Sequence, residues 1–203
     1  MDDIDLKKII LSDAELSILK NINQIILPLG PQRNLTTFIG AIFSLHPEAL
    51  TLNHAGIRIL NNPNLCFFDD CRREIQENFL KASIRLLQDG ERGALGGSIL
   101  KAHAFADDIG MQNLYKEKYG DVLLKPNAKT LFWKDSYRIQ AHLSQRSDGY
   151  TQLLSSFENV KFVLPVRNPI HSANSNIRTG HARKLISNQT FTFENVVTYI
   201  LTN

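Results

Sequence analysis

The sequence predicts an α/β fold, a three-layer α/β/α sandwich built around a central parallel sheet of about five strands. Short apolar runs alternate along the chain with segments whose apolar residues recur at helical spacing. This alternation favours parallel strands with helices on both faces of the sheet. No proline-, glycine- or serine-rich linker divides the 203 residues, and 43% are hydrophobic, so we expect one domain over 1–203.

Each element follows from a local pattern. Ser12 and Glu15 form a capping-box pattern ahead of an apolar repeat, which predicts a short helix. The next elements are a strand over 24–29, a helix from Thr36 to Ser44, a strand over 49–53 and a long helix over 69–88. The remaining ones are a strand over 98–105, a helix over 108–118, a strand over 130–134, helical spacing over 137–154 interrupted at 147–149, a strand over 160–166, a helix near Pro169 and a helix over 193–201.

Composition excludes several classes of function. The net charge is +3 with acids and bases interspersed, so we expect no nucleic-acid-binding face and no membrane surface. The acidic start of the chain and the lack of a run of about 18 apolar residues predict a cytoplasmic protein without a membrane span. The spacing of Cys66 and Cys71 fits neither a zinc site nor a disulfide, so we expect reduced thiols and no metal.

The segment from Gly30 to Thr37 has the features of an anion-binding loop. It joins an apolar strand to a helix, and amides at a helix start have no partner within the helix. The loop residues that could surround an anion are Gln32, Arg33, Asn34, Leu35, Thr36 and Thr37. The Gly-Lys-Ser/Thr ending of the common triphosphatase loop is missing, which argues against an ATPase or a kinase.

A second candidate anion site follows the strand over 160–166. Arg167 stands at its end, and Ser175 lies within the helix that comes next. Because ligands gather at the carboxyl ends of parallel strands, both sites are expected at one edge of the sheet. Two anion sites without an evident magnesium ligand suit a nucleotide that carries phosphate at two positions.

These two segments resemble the sulfotransferases that use 3'-phosphoadenosine 5'-phosphosulfate (PAPS), most closely the protein-tyrosine, carbohydrate and bacterial branch. The run 33–37 is similar to the family loop Arg/Lys-Ser/Gly-Gly-Thr-Thr at its first, fourth and fifth positions. Arg167-Asn168-Pro169, with Ser175 eight residues after the arginine, resembles the segment that holds the 3'-phosphate. The resemblance implies a P-loop nucleotide-hydrolase-like fold, with PAPS held by the loop residues 32–37, Arg167 and Ser175.

The resemblance also implies catalytic residues. His54 follows His46-Pro47 at the position of the family's catalytic base, and Lys134 stands where a lysine stabilises the transferring sulfuryl group. Arg33 would supply further charge. His103, within Lys101-Ala102-His103, resembles the base of the cytosolic small-molecule branch and is the runner-up. A histidine after a strand is also common as a structural residue, and a strand-end lysine often only packs its stem.

Departures from the family pattern define the alternatives. Leu35 replaces the loop glycine, and the chain ends before the segment that covers the nucleotide in relatives, which leaves truncation or a reduced lid. The main alternative is a degenerate member that binds nucleotide or a partner without turnover, and a weaker one is a P-loop kinase. The expected acceptor is a hydroxyl or an amine on a small molecule, carbohydrate or peptide; the sequence does not specify which, nor the oligomeric state.

Overall fold

The computed structural model describes residues 4–31, 33–102, 105, 109–186 and 190–202. The strands are β1 (Gln24–Pro28), β2 (Ala49–Asn53), β3 (Gly97–Ser98), β4 (Thr130–Lys134) and β5 (Val160–Val163). The α-helices are α1 (Asp13–Asn21), α2 (Thr36–Ser44), α3 (Gly56–Ile59), α4 (Arg73–Asp89), α5 (Ile109–Tyr119), α6 (Ser136–Leu143), α7 (Gly149–Ser156), α8 (Pro169–Arg178), α9 (Ala182–Leu185) and α10 (Phe193–Thr202). Short 3-10 helices cover Leu6–Lys8 and Ile99–Lys101.

The five strands form one sheet in the order β3-β2-β4-β1-β5. β1 pairs in parallel with both β4 and β5, and β2 pairs in parallel with β4. The predicted α/β class and five-strand sheet are confirmed. The prediction of a wholly parallel sheet is wrong at one edge, because β3 is antiparallel to β2. The carboxyl ends of β1, β2, β4 and β5 consequently lie along one edge.

Strand β4 shows why its sequence is apolar throughout. Successive side chains point to opposite faces of a sheet, and Phe132 and Trp133 are both fully buried. The Trp133 ring packs against Phe79 of α4, with ring centroids 5.0 Å apart. On the other face, Phe132 stacks on Phe43 of α2 at 4.5 Å. Helices therefore cover both faces of the sheet, which is compatible with the three-layer arrangement.

Most of the predicted helices are confirmed, and α1 shows the local cause most clearly. The Ser12 side chain accepts a hydrogen bond from the Glu15 backbone, and the Glu15 carboxylate accepts one from the Ser12 backbone at 2.7 Å. This is the capping box that the sequence predicts, and it satisfies two amides at the start of the helix. Within the described part of the chain, no helix combines the length and the apolar character needed to cross a membrane.

The predicted strand over 98–105 is wrong beyond its first residue. β3 ends at Ser98, whose side chain accepts a hydrogen bond from the Leu100 backbone and caps the 3-10 helix. The Lys101 ammonium then donates to the Gly90 carbonyl. An apolar run is compatible with either conformation, and here the serine cap decides.

Two other boundaries differ from prediction. The long helix begins at Arg73 rather than near Asp69, because Asp70 accepts hydrogen bonds from the Arg72 guanidinium and backbone, which leaves Arg72 in an extended cap conformation. The last strand ends at Val163 rather than Val166. Its partner β1 ends at the same level, and Pro165 has no N–H to extend the ladder.

Candidate functional site

The carboxyl edge of the sheet brings together residues from both predicted anion sites. The Nε atom of Arg33 donates to Oγ of Ser175 at 3.0 Å, across 142 positions of sequence. An Nη atom of Arg167 donates to the Arg33 backbone carbonyl at 2.9 Å. The two sites therefore contact each other directly, and a ligand with two phosphates would have to separate Arg33 from Ser175. Gln32 and His103 lie outside the described residues.

The loop between β1 and α2 is fixed by distant parts of the chain. The Gly30 amide donates to Oε1 of Gln140 on α6 at 2.7 Å. Asn34 is buried, and its side-chain amide donates to the Pro165 carbonyl beyond β5. At least one donor of Asn34 thus holds the loop in place. Leu35, the cap residue of α2, contributes no side-chain hydrogen bond to the helix amides, although a side chain caps many helix starts.

Backbone strain is concentrated at this edge. The non-glycine residues with positive φ, among those described, are Arg33 (66°), Leu35 (61°), His54 (64°) and Ala55 (75°). Each lies just beyond β1 or β2. A left-handed conformation costs a residue with a side chain about 1–2 kcal/mol, and such residues cluster at functional sites. The observed conformations of these two turns therefore lower the stability of the fold.

The strain at Leu35 can be measured directly. We expect Leu35→Gly to be more stable than Leu35→Ala by about 0.5–1 kcal/mol, because only glycine removes the Cβ that opposes φ 61°. Both variants lose the same half-exposed side chain, so alanine is the matched control. Urea denaturation gives the difference. If Leu35→Ala were equal or more stable, the left-handed conformation at this position would be refuted.

A cavity of about 90 Å³ lies beside the loop. Its lining residues are Thr37, Asn53, His54, Arg92, Gly93, Ala102 and Lys134. The Oδ1 atom of Asn53 and the Nδ1 atom of His54 are buried without a hydrogen-bond partner among the described residues. Buried polar atoms are rarely left without a partner, so a ligand or water that hydrogen-bonds to them would be stabilised here. Three predicted site residues, Thr37, His54 and Lys134, share this cavity.

Asp135 lies beside His54 and was not among the predicted site residues. Its buried carboxylate accepts hydrogen bonds from the Gly56 amide at 2.8 Å and from Arg138 at 2.9 Å. The remaining neighbour is His54, whose Nδ1 lies 3.6 Å from Oδ1 of Asp135. Burial opposes ionisation, but contact with His54 and the charge of Arg138 outweigh it and lower the pKa of Asp135. The signal in the sequence was its position, directly after β4 and at the start of α6.

Lys134 is positively charged at neutral pH, but its pKa lies closer to neutrality than that of an exposed lysine. Burial lowers the pKa of Lys134 from 10.5 to about 8; Asp135 opposes this shift, whereas Arg138 and Arg33 add to it. The effect of Arg33 indicates that the two predicted catalytic cations are close enough to repel each other. An anion placed between them would relieve this repulsion and favour the charged form of Lys134.

Comparison with known proteins does not assign the site to a family. No family model matches the sequence, and no curated protein matches it. The function is therefore inferred from the site itself, which combines a strained loop before a helix, several positive side chains, and a histidine held beside a buried carboxylate.

Proposed function

We propose that this chain is a sulfotransferase that moves a sulfuryl group from PAPS to a hydroxyl or amine acceptor. The observation that carries the proposal is the meeting of Arg33 with Ser175, and of His54 with Asp135, along the edge where four parallel strands end. Ligands of open α/β sheets bind at this edge. The order β2-β4-β1-β5 places the loop after β1 near its centre, which supports a P-loop-like fold.

The proposed cofactor site uses both anion-binding segments. Arg33, Thr36, Thr37 and the loop amides would hold the 5'-phosphosulfate, since a helix start and a guanidinium both favour an anion. Arg167 and Ser175 would hold the 3'-phosphate. In the structure these groups hydrogen-bond to each other, so nucleotide binding exchanges the Arg33–Ser175 hydrogen bond for contacts with phosphate oxygens.

Residues in and beside the cavity would supply the chemistry that transfer requires. His54 would take the proton of the acceptor as its oxygen or nitrogen bonds to sulfur. PAPS, when bound, would supply the sulfuryl group, with the electron pair of the broken sulfur–oxygen bond staying on the phosphate oxygen. Arg33 and Lys134 stabilise the negative charge on the nonbridging and leaving oxygens. The Asp135 carboxylate, 3.6 Å from Nδ1 of His54, would favour the protonated imidazole after the transfer.

A second candidate function is a nucleotide-binding member of the same fold without turnover. The Arg33–Ser175 hydrogen bond and Leu35 favour it, because that bond engages the guanidinium that would stabilise the sulfuryl group, and Leu35 puts a side chain in the left-handed turn where the sulfotransferase loop has glycine. This alternative predicts nucleotide binding with no transfer to any acceptor.

The test is calorimetric titration with 3'-phosphoadenosine 5'-phosphate, the desulfated product. We expect a dissociation constant in roughly the micromolar range. ADP is the matched control, because it lacks the 3'-phosphate and should bind more weakly. Magnesium-dependent binding of ATP in place of the bisphosphate would support a kinase instead.

Absence of bisphosphate binding would overturn the nucleotide site itself. Binding without sulfate transfer, across hydroxyl and amine acceptors from sugars, phenols and tyrosine peptides, would favour the non-catalytic alternative.

A further inference from the structure

Three metal-binding side chains meet at the end of α6 that lies farthest from Asp135. The Nε2 atom of His142 lies 3.5 Å from Sγ of Cys66 and 2.8 Å from Oδ1 of Asp69. The three donor atoms all lie within 4.8 Å of one another. This thiol, imidazole and carboxylate belong to none of the steps proposed for the carboxyl edge of the sheet.

The fold holds the three donors in different ways. Cys66 is buried. The Asp69 amide donates to the Cys66 carbonyl at 3.1 Å, and this turn brings the two side chains close together. His142 comes from the last turn of α6, and its ring lies 6.1 Å from that of Phe68. The Asp69 side chain is about half exposed (49%), whereas that of His142 is 20% exposed. The cluster thus has a fixed buried side and a side open to solvent.

We propose that Cys66, Asp69 and His142 bind a divalent cation of the zinc class, with solvent at the fourth position. Zinc takes thiolate at about 2.3 Å and imidazole or carboxylate at about 2.0–2.2 Å, which separates tetrahedral sulfur and nitrogen ligands by about 3.6 Å. The observed Cys66–His142 distance of 3.5 Å already matches this separation. Only Asp69 must move outward from His142, and its half-exposed side chain has solvent on one side into which it can rotate.

One positive side chain, Arg146, already lies beside the cluster. Arg146 lies 3.9 Å from Oδ1 of Asp69 and also donates to the Phe68 carbonyl at 3.2 Å. The neighbouring Asp70 is paired with Arg72 and does not join the cluster. An incoming ion would therefore compete with Arg146 for only one of the three ligands, Asp69. Binding releases the Cys66 thiol proton to solvent and uses the neutral imidazole of His142.

The ion would connect the segment before α4 to α6. Arg138 and Gln140 on the same helix hold Asp135 and Gly30 at the candidate active site. A bound ion would thus stabilise α6, the helix that positions the loop between β1 and α2. The proposal does not depend on the sulfotransferase assignment, because its residues and its readout are separate from nucleotide binding.

The test is titration of the whole chain with cobalt(II), followed by displacement with zinc. A thiolate ligand produces a charge-transfer absorption in the near ultraviolet, and zinc should remove it because zinc binds such sites more tightly. We expect Cys66→Ser to abolish the band, and His142→Gln and Asp69→Asn to weaken cobalt binding by at least about tenfold. Cys71→Ser is the matched control and should leave the titration unchanged.

Circular dichroism of each variant shows whether it folds. If Cys66→Ser does not fold, the His142→Gln variant decides, because its side chain is partly exposed and its loss leaves no buried gap. A folded wild-type chain without the charge-transfer band, a band that survives Cys66→Ser, or wild-type affinity in His142→Gln would each overturn the proposal.

Discussion

Replacing Arg33 with alanine is expected to lower sulfuryl transfer by at least about 10²-fold, the effect of removing one positioned donor from a transition state. Arg33 lies between the two proposed phosphate sites, since its Nε reaches Ser175 and its carbonyl accepts from Arg167. The loss should appear in kcat as well as in the affinity for the bisphosphate, measured by steady-state kinetics and calorimetry.

Two other arginines make the result interpretable. Arg183→Ala removes an exposed arginine on α9 and should leave kinetics and binding unchanged. Arg167→Ala should weaken nucleotide binding more than it slows transfer, because that residue would hold the 3'-phosphate only. If Arg33→Ala and Arg167→Ala both behaved like Arg183→Ala, the carboxyl edge would not be the nucleotide site.

Local patterns in the sequence were sufficient for most of the sheet. β2 and β4 were predicted with the observed bounds, because an apolar run between turn residues leaves few alternatives to a buried strand. The same rule failed over 98–105, where one side-chain cap at Ser98 converts the run into a 3-10 helix. The antiparallel pairing of β3 also had no local signal, since strand direction is set by tertiary contacts.

The site was predictable only where its residues follow strands in sequence. His54 and Lys134 were found because each stands at a strand end, and parallel strands bring such ends together. The left-handed backbone at His54 and the contact between Arg33 and Ser175 depend on packing across the whole sheet. The grouping of Cys66 with His142 was missed because a spacing rule compares neighbouring cysteines, whereas this pair is 76 positions apart.

Lys125 is expected to make the largest single contribution to stability of the residues considered. This buried ammonium donates to the carbonyls of Ser44, His46 and Ala49, the last two at 2.7 Å. Ser44 ends α2, where helix carbonyls have no internal partner, His46 lies in the connection and Ala49 begins β2. The Tyr119 ring lies 4.6 Å from the same nitrogen and adds a cation–π contact. Lys125 thus joins α2 to the sheet.

We expect Lys125→Met to lower the free energy of unfolding by about 3–5 kcal/mol, the usual cost of removing one member of a buried charged network. Methionine keeps the length of the side chain but leaves three carbonyls, two of them buried, without their donor. The control is Lys118→Met, an exposed lysine on α5, which should change stability by less than about 0.5 kcal/mol. Urea denaturation at pH 7 measures both.

The stability difference between the wild type and Lys125→Met is expected to depend on pH, which a simple loss of packing would not produce. Burial lowers the pKa of Lys125 from 10.5 to about 8, so between these pH values the unfolded chain binds a proton that the folded chain has lost. Stability from this residue therefore rises with pH across that window. Above pH 10 the opposite shift of Tyr115, whose pKa burial raises to about 12, offsets the rise. The stability gap between the wild type and Lys125→Met should widen from pH 8 to pH 10. A gap that narrowed would refute the lowered pKa, because it would mean that the folded chain holds the Lys125 proton more tightly than the unfolded chain does.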